Sequence, residues 1–110
     1  MITVFLGKAL ICIANICHPT LVGNTTPIGQ YQIVQRFVED EKFGEDVLKF
    51  HENDDSIFAI HRITKKRMKY MNNTPDVRNK ITSGCINVTP DVYELIVEHL
   101  KINNELKIEK

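Results

Sequence analysis

Residues 78 to 91 read Arg-Asn-Lys-Ile-Thr-Ser-Gly-Cys-Ile-Asn-Val-Thr-Pro-Asp, and the rest of the chain can be placed around them. Their centre is Cys85, which follows Gly84 between an extended segment and a helix start. Glycine permits sharp backbone angles and leaves room for a substrate, so this arrangement is typical of a presented thiol. Thr89, Pro90 and Asp91 are typical of a helix N-terminus. We therefore predict a turn that presents Cys85, followed closely by a helix.

Residues 82 to 88, Thr-Ser-Gly-Cys-Ile-Asn-Val, resemble the nucleophile motif of the L,D-transpeptidases of the YkuD type, the enzymes that cross-link murein. The usual motif is Ser-His-Gly-Cys-(Ile/Val)-(Arg/Asn)-(Leu/Met/Val), and this chain is closest to a branch with Ser-Ser-Gly-Cys-Ile-Asn-Val. Upstream, residues 26 to 31, Thr-Pro-Ile-Gly-Gln-Tyr, resemble the family's Thr-Pro-x-Gly-x-(Phe/Tyr). Residues 57 to 62, Ile-Phe-Ala-Ile-His-Arg, resemble the strand that carries its catalytic histidine. The resemblance extends from Gly7 to Leu95.

The chain has 110 residues, which suits one domain over residues 1 to 110. Its run of short strands and one C-terminal helix predicts a mainly β domain. The resemblance implies a β-sandwich or partly closed barrel, with Cys85 and His61 on adjacent strands. The family's domains usually extend further at the N-terminus, so we expect a shortened version here.

Hydrophobic patterning predicts the individual elements. Gly7-Lys8 is typical of a hairpin turn, and Ala9 to Cys17 is predicted as one strand buried on both faces, with a helix as the alternative. The acidic stretch Glu39 to Asp46 is predicted as a solvated loop, the alternative being contact with an amine-bearing substrate. Lys65 to Lys69 is predicted as a solvated face, the alternative being a cleft edge that meets stem carboxylates. The other predicted elements are strands over Ile2–Leu6, Tyr31–Val38, Val47–His51, Ser56–Ile63 and Leu106–Ile108, and a helix over Pro90–Lys101.

The charge balance argues against two classes of partner. The chain carries 14 basic and 14 acidic side chains, so a nucleic-acid binder and an electrostatic membrane anchor are both disfavoured. No apolar stretch is long enough to predict a membrane span. Met1 to Cys17 lacks a basic start, and Lys8 interrupts it, so it does not have the pattern of a signal peptide. The family resemblance nevertheless implies a periplasmic or cell-wall location.

The three cysteines are too few for a disulfide scaffold. If Cys12 and Cys17 share one strand, they point to opposite faces, so we predict that they are unbonded, buried small side chains. A metal site built from Cys12, Cys17 and His18 lacks the second half of a zinc pattern, so no metal or cofactor is expected.

The chemistry of Cys85 requires a base. An isolated thiol, with a pKa of about 8.5, is only a few per cent ionised at neutral pH, and a histidine can accept its proton. Among the four histidines, His61 is the best candidate because it ends an apolar strand that would hold its ring, and because the family pattern places the base there. A purely structural histidine is the alternative. His99 is predicted to pack in the last helix, His51 to be exposed, and His18 to lie in a loop.

The resemblance implies a mechanism. Cys85, activated by His61, attacks the third residue of a donor stem tetrapeptide, and terminal D-alanine leaves. A side-chain amine of another stem then attacks the thioester and forms a 3→3 cross-link, whereas water gives carboxypeptidation. The backbone N–H groups of Gly84 and Cys85 are expected to hold the oxyanion. Carbapenem-type inhibitors are expected to acylate the thiol.

The remaining candidate residues surround this pair. Ser83 stands where most of the family has a histidine; its hydroxyl is placed near the nucleophile but cannot act as a titrating base. Asn87 is expected to order the turn or bind the stem. Arg62 follows His61 where other members have glycine or serine. Substrate binding is assigned to four residues, two of them chosen because guanidinium pairs bidentately with carboxylates: Arg67 and Arg78, with Arg62 and Asn87.

Two rival hypotheses remain open. One is a catalytically inactive relative that binds wall peptides or a protein partner through the same cleft, since a fold can persist without its function. The other is a different thiol enzyme, such as a peptidase or amidase, which the pair of Cys85 and His61 alone would permit.

Overall fold

The computed structural model describes residues 1–37 and 46–110. The strands are β1 Ile2–Phe5, β2 Leu10–Ile13, β3 Ile16–Pro19, β4 Gly29–Gln32, β5 Gln35–Phe37, β6 Val47–Glu52, β7 Ile57–Arg62, β8 Ile86–Val88 and β9 Glu105–Glu109. The helices are a 3₁₀ helix over Lys65–Asn72, α1 Pro75–Arg78 and α2 Pro90–Leu100.

The strands form two sheets, in the orders β3-β2-β1-β9-β4 and β5-β6-β7-β8. Two pairings are parallel: β1 with β9, where Ile2 faces Leu106, and β7 with β8, where Ile60 faces Ile86. The predicted mainly β fold with a C-terminal helix is confirmed, and in the part of the chain that the structure describes neither sheet closes into a barrel.

One hydrophobic core joins both sheets and α2. Its side chains come from alternate positions of the strands and from the apolar face of the helix, and each buried aliphatic side chain contributes about 1.5–3 kcal/mol. On β7, Phe58 and Ile60 point into this core, so Ile57, Ala59 and His61 belong to the other face of the sheet. Members of the core include Ile2, Val4, Ile11, Phe58, Ile60, Ile86, Val88, Ile96, Leu106 and Ile108.

Most local predictions are confirmed. The strands expected at Ile2–Leu6, Val47–His51, Ser56–Ile63 and Leu106–Ile108 and the helix expected from Pro90 are present within one or two residues. Thr89 occupies the N-cap position with extended backbone angles, but its side chain makes no capping bond. The Thr89 hydroxyl instead helps to hold the pKa of Asp91, in the first turn, below its usual value.

The single strand predicted for Ala9 to Cys17 is wrong. The segment is a hairpin of β2 and β3, which turn at Ala14 and Asn15 with φ angles of 50° and 70°. Two successive positive φ values are typical of the tight turns that match strand twist. This turn is hard to predict from the sequence because alanine is apolar and does not interrupt the apolar run.

The same hairpin corrects the prediction for Cys12 and Cys17. They lie directly opposite each other on β2 and β3, and they form a disulfide with Cα atoms 3.9 Å apart. Cys17 is also exposed rather than buried. The prediction failed because it placed both residues on one strand.

The single strand predicted for Tyr31 to Val38 is also divided. β4 belongs to the first sheet and β5 to the second. Between them, the N–H of Ile33 donates to the carbonyl of Asn104 at 2.9 Å, and the buried Ile33 side chain joins the core. The chain therefore changes sheets here. Val38 and most of the predicted acidic loop, Glu39 to Glu45, lie outside the described residues.

The basic stretch Lys65 to Lys69 forms most of the 3₁₀ helix, none of whose residues is buried. Across residues 1–37 and 46–110, no helix combines the length and apolar character needed to cross a bilayer.

Asp46, at the start of β6, ties three elements together. Its carboxylate accepts hydrogen bonds from Arg36 at 2.7 Å, Arg62 at 2.6 Å and the Tyr93 hydroxyl at 2.9 Å. Burial alone would raise the pKa of Asp46, but these three donors outweigh it and hold that pKa well below its usual range. The guanidinium of Arg62 also lies 4.0 Å from the centre of the Tyr93 ring and bonds Glu94, so β7 is fastened to α2.

We predict that the hairpin disulfide is present in the folded protein and stabilises it. Denatured but unreduced protein should expose one reactive thiol, against three after reduction. Replacing Cys12 and Cys17 by serine should lower the free energy of unfolding by about 2 kcal/mol, since closing a short loop restrains the unfolded chain. Reductant should destabilise the parent similarly and leave the double variant unchanged. Three reactive thiols before reduction would disprove the pairing.

We predict that Asp46 makes stability depend on acid. Because the pKa of Asp46 is lowered by folding, its contribution is complete above the unfolded value of about 4 and is lost as the pH falls below it. Asp46→Asn should lower the free energy of unfolding by about 2 kcal/mol at pH 7. Urea unfolding at a series of pH values should show a weaker dependence of this free energy on acid in the variant. Glu98→Gln, which removes an exposed pair with Lys101, is the matched control and should change little. Equal effects of both variants would refute this role.

Candidate active site

A braced turn presents Cys85. Gly84 has a φ of +133°, and a Cβ atom there would come within 2.5 Å of the Phe58 ring, so only glycine fits. The Thr82 hydroxyl accepts the Gly84 N–H at 3.1 Å and donates to the Cys85 carbonyl at 2.6 Å. Thr25 donates to the Ser83 carbonyl at 2.8 Å, so the loop before β4 lies against the nucleophile turn.

The bond between Gly84 and Thr82 bears on the predicted oxyanion site. The Gly84 N–H is used within the turn, which favours a conformational role for Gly84 over oxyanion binding. The assignment of the oxyanion site to Gly84 and Cys85 stays a prediction.

Cys85 is partly exposed and lines a cleft of about 500 Å³. Its Sγ lies 3.8 Å from the carbonyl oxygen of Ile57, at the start of β7. We call this the thiol cleft; its lining includes Ser83, Ile57, Ala59 and three carboxylates from the end of β6 and the turn that follows, Glu52, Asp54 and Asp55. Glu52 pairs with Lys49 at 2.8 Å, so Asp54 and Asp55 supply most of the negative charge of the cleft.

His61 lies on the neighbouring strand and on the same face. In the parallel pairing of β7 and β8, His61 faces Asn87, and Cys85 is two residues before Asn87. Residues two apart in extended chain point to one side, so the three side chains share the sheet face opposite the core. His61 is only 4% exposed, and its Nδ1 lies 3.0 Å from the carbonyl oxygen of Arg62.

The hydrogen bonds around Asn87 assign the tautomer of His61. Arg67, which can only donate, places Nη1 2.8 Å from Oδ1 of Asn87. The Asn87 amide nitrogen must then donate to Nε2 of His61, 3.1 Å away, so Nε2 is an acceptor. The proton of the neutral ring therefore sits on Nδ1 and is donated to the Arg62 carbonyl. The site thus holds an imidazole with a basic nitrogen on the cysteine face.

Two other predicted residues are engaged elsewhere. Arg62 is held by Asp46 and Glu94 on the core side of β7. Arg78 is only 7% exposed and donates to the carbonyls of Asn73, Lys8 and Ala9. These contacts give both arginines structural roles, and their assignment to substrate binding stays a prediction.

Among the described residues, no histidine, His61 included, lines the thiol cleft. His51 stacks on Phe58, with ring centroids 5.7 Å apart, and His99 lies 3.4 Å from the N-terminal amine. Within the described residues, no group of three or more histidine, cysteine or acidic side chains could hold a metal ion.

Sequence reasoning missed the carboxylates of the thiol cleft and the roles of Thr82 and Asn87 as hydrogen-bonding centres. The run Asn53-Asp54-Asp55 follows the predicted strand Val47–His51, and nothing in it signals proximity to Cys85. Asn87 was noted from its motif position, but its partners come from distant parts of the chain.

Comparison with known proteins supports the fold. No protein-family model matches the sequence, and no curated protein matches it. Solved structures do match, among them an L,D-transpeptidase (Yku) from Stackebrandtia nassauensis at a TM-score of 0.64 and 13% identity, covering 99% of this chain and 54% of that one. An L,D-transpeptidase from Mycobacterium smegmatis gives a TM-score of 0.62 at 10% identity, covering 99% and 58%. An L,D-transpeptidase in complex with imipenem gives 0.56 at 10%, covering 97% and 57%.

The chain therefore has the fold of the L,D-transpeptidases, as its motifs predicted. It spans a little over half the length of these three relatives.

We predict that Asn87→Asp moves the proton of His61. A carboxylate at this position accepts from Arg67 and also from the histidine, so Nε2 should become protonated. The ring would then either be neutral, with its proton moved from Nδ1 to Nε2, or be positively charged, with a proton on each nitrogen. The ¹⁵N chemical shifts of the His61 ring distinguish these forms. Asn103→Asp, which keeps its acceptor bond to the Glu105 N–H, is the control and should leave His61 unchanged. A parent protein that already carries the proton on Nε2 would contradict the assignment.

Proposed function

We propose that this chain is a cysteine acyltransferase of peptidoglycan stem peptides, an L,D-transpeptidase that works through a Cys85 thioester with His61 as base. One observation carries the proposal. A partly exposed cysteine in an open cleft shares a sheet face with a buried imidazole whose ring nitrogens are both hydrogen-bonded, in a fold whose solved relatives include L,D-transpeptidases.

The proposed first half of the reaction releases the donor's terminal residue. Nε2 of His61 exchanges its bond with Asn87 for the Cys85 thiol and accepts the thiol proton. The thiolate attacks the carbonyl of the third stem residue, and the Cys85 N–H stabilises the oxyanion. The carbon–nitrogen bond then breaks, D-alanine leaves with the proton from His61, and a thioester remains.

The proposed second half restores the enzyme. The side-chain amine of another stem attacks the thioester, His61 takes a proton from it, and the carbon–sulfur bond breaks as Cys85 is reprotonated. The product is a 3→3 cross-link, and water in place of the amine gives carboxypeptidation. The carboxylates Glu52, Asp54 and Asp55 would raise the local concentration of an amine-bearing acceptor.

The hairpin disulfide supports the proposed location. Disulfides persist in oxidising compartments and are rare in the bacterial cytosol. The bond between Cys12 and Cys17 therefore fits a domain that works in the periplasm or at the cell wall, where stem peptides are found.

A second candidate is a relative that binds wall peptides without transferring them. The engagement of the Gly84 N–H by Thr82 favours it, since this leaves fewer backbone donors for an oxyanion. Under this alternative the thiol cleft would still bind stem peptides, but Cys85 would not be acylated.

We predict that a carbapenem acylates Cys85. Intact mass after incubation with imipenem, which is bound by one structural relative, should show one adduct on the parent and none on Cys85→Ala. His61→Gln keeps a polar side chain of similar size but cannot act as the base, so its acylation rate should fall by at least about 100-fold. Circular dichroism should show that both variants are folded.

The outcomes separate the hypotheses. An adduct on the folded parent that Cys85→Ala abolishes supports the transferase. Folded parent protein that binds a stem peptide but gains no adduct would instead support the non-enzymatic relative. Unchanged acylation in His61→Gln would remove His61 from the mechanism.

A further inference from the structure

A second cleft, of about 570 Å³, lies between the 3₁₀ helix and the segment that leads into the Cys85 turn. We call it the basic pocket; its lining is Lys66, Arg67, Lys69, Tyr70, Lys80 and Ile81. Four of these six side chains are cationic, and no acidic side chain is among these lining residues. The chain as a whole has no net charge, so this concentration of positive charge is local.

The arrangement of the lysines favours an anion. Lys66 and Lys69 are three residues apart on a 3₁₀ helix, where such positions lie one above the other. Lys80 approaches from a different segment of the chain. Like charges brought together repel each other, and a bound anion would relieve that repulsion.

Arg67 connects the basic pocket to the candidate base. It is partly buried and donates through Nη1 to Asn87, which in turn donates to Nε2 of His61. A guanidinium has five N–H donors in a planar fork, so Arg67 can hold Asn87 and still bind a carboxylate. Arg67 lies two hydrogen bonds from His61, so an anion that it binds would lie three hydrogen bonds away.

The donor peptide of the proposed reaction has a matching group. Its leaving residue carries the terminal carboxylate, whose carbon is three bonds, and so less than about 4.5 Å, from the attacked carbonyl carbon. Any pose with that carbonyl at Cys85 must place this negative charge nearby. The thiol cleft would repel it through Glu52, Asp54 and Asp55, whereas the basic pocket would attract it.

We infer that the basic pocket binds the terminal carboxylate of the donor stem peptide and so selects donors that end one residue after the attacked carbonyl. This inference rests on the proposed function and adds a specificity site to it. Arg67 would be the bidentate ligand, and Lys66, Lys69 and Lys80 would supply the field around it.

The test compares two tetrapeptide stems that differ only at the C-terminus, one a free carboxylate and the other a carboxamide. Both are titrated into folded Cys85→Ala protein, so that affinity is measured without turnover. The free acid should bind about tenfold tighter than the amide, as expected for a charge-assisted bidentate contact.

A charge-matched pair of variants locates the effect. Changing Lys66, Lys69 and Lys80 to glutamine leaves the bond between Arg67 and Asn87 intact and should reduce the acid-to-amide ratio to within about twofold. Changing Lys101, Lys107 and Lys110 to glutamine removes the same charge from two exposed positions and one half-buried position outside the pocket and should preserve the ratio. A loss of folding would lower both affinities, whereas the inference concerns only their ratio.

The result that overturns the inference is an acid-to-amide ratio near one in the parent, or a ratio that the pocket variant leaves unchanged. If carbapenem acylation of Cys85 is intact in that case, the transferase stands and only the pocket assignment fails. If the ratio behaves as expected but no acylation occurs, the pocket binds the carboxylate in a protein that does not transfer it.

Discussion

The side chain and backbone of Asn87 hold the site together. Asn87 is fully buried, and its amide bridges Arg67 and His61, while its backbone carbonyl accepts from the Thr20 hydroxyl at 2.6 Å and the Leu21 N–H at 3.1 Å. Leaving one such buried group unpaired costs about 1–3 kcal/mol. A shift of β8 by one residue would break all of these bonds and turn Cys85 to the core face. The position of the nucleophile therefore depends on a buried amide two residues away.

The parallel pairing of β7 and β8 explains why so much of the site comes from one connection. Parallel neighbours cannot be joined by a tight turn, so the chain must cross over between Ile63 and Cys85. That crossover contains the 3₁₀ helix with Arg67, and α1 with Arg78, whose guanidinium fastens it to the turn between β1 and β2. This one segment thus forms the basic pocket, fixes the orientation of the Asn87 amide through Arg67, and leads into the turn that presents the thiol.

Much of this structure could be predicted from signals between neighbouring residues. Contacts between segments that are far apart in the sequence could not be predicted in this way. The β-branched strands, the Pro90 helix start and the glycine before Cys85 each depend on neighbouring residues, and their predictions were correct. The hairpin at Ala14 and Asn15 was missed because it lacks the glycine that usually marks such turns, and with it the disulfide partner of Cys12. The engagement of Arg78 by three carbonyls depends on how the crossover docks, which no short motif encodes.

The Asn87 amide and the two clefts affect how Cys85 could pass its proton to His61 and become reactive. While Arg67 fixes Oδ1 of Asn87, an imidazolium at His61 would set its Nε2–H against the amide nitrogen, so the resting site disfavours the charged ring. A carboxylate bound in the basic pocket by the other donors of Arg67 would place a negative charge near His61 while the bond between Arg67 and Asn87 remains. An opposite charge nearby favours the charged form of a ring that has accepted a proton. Under the proposals above, the donor peptide would itself supply the charge that lets His61 keep the thiol proton, and the thiolate would form only when a substrate is present to react with it.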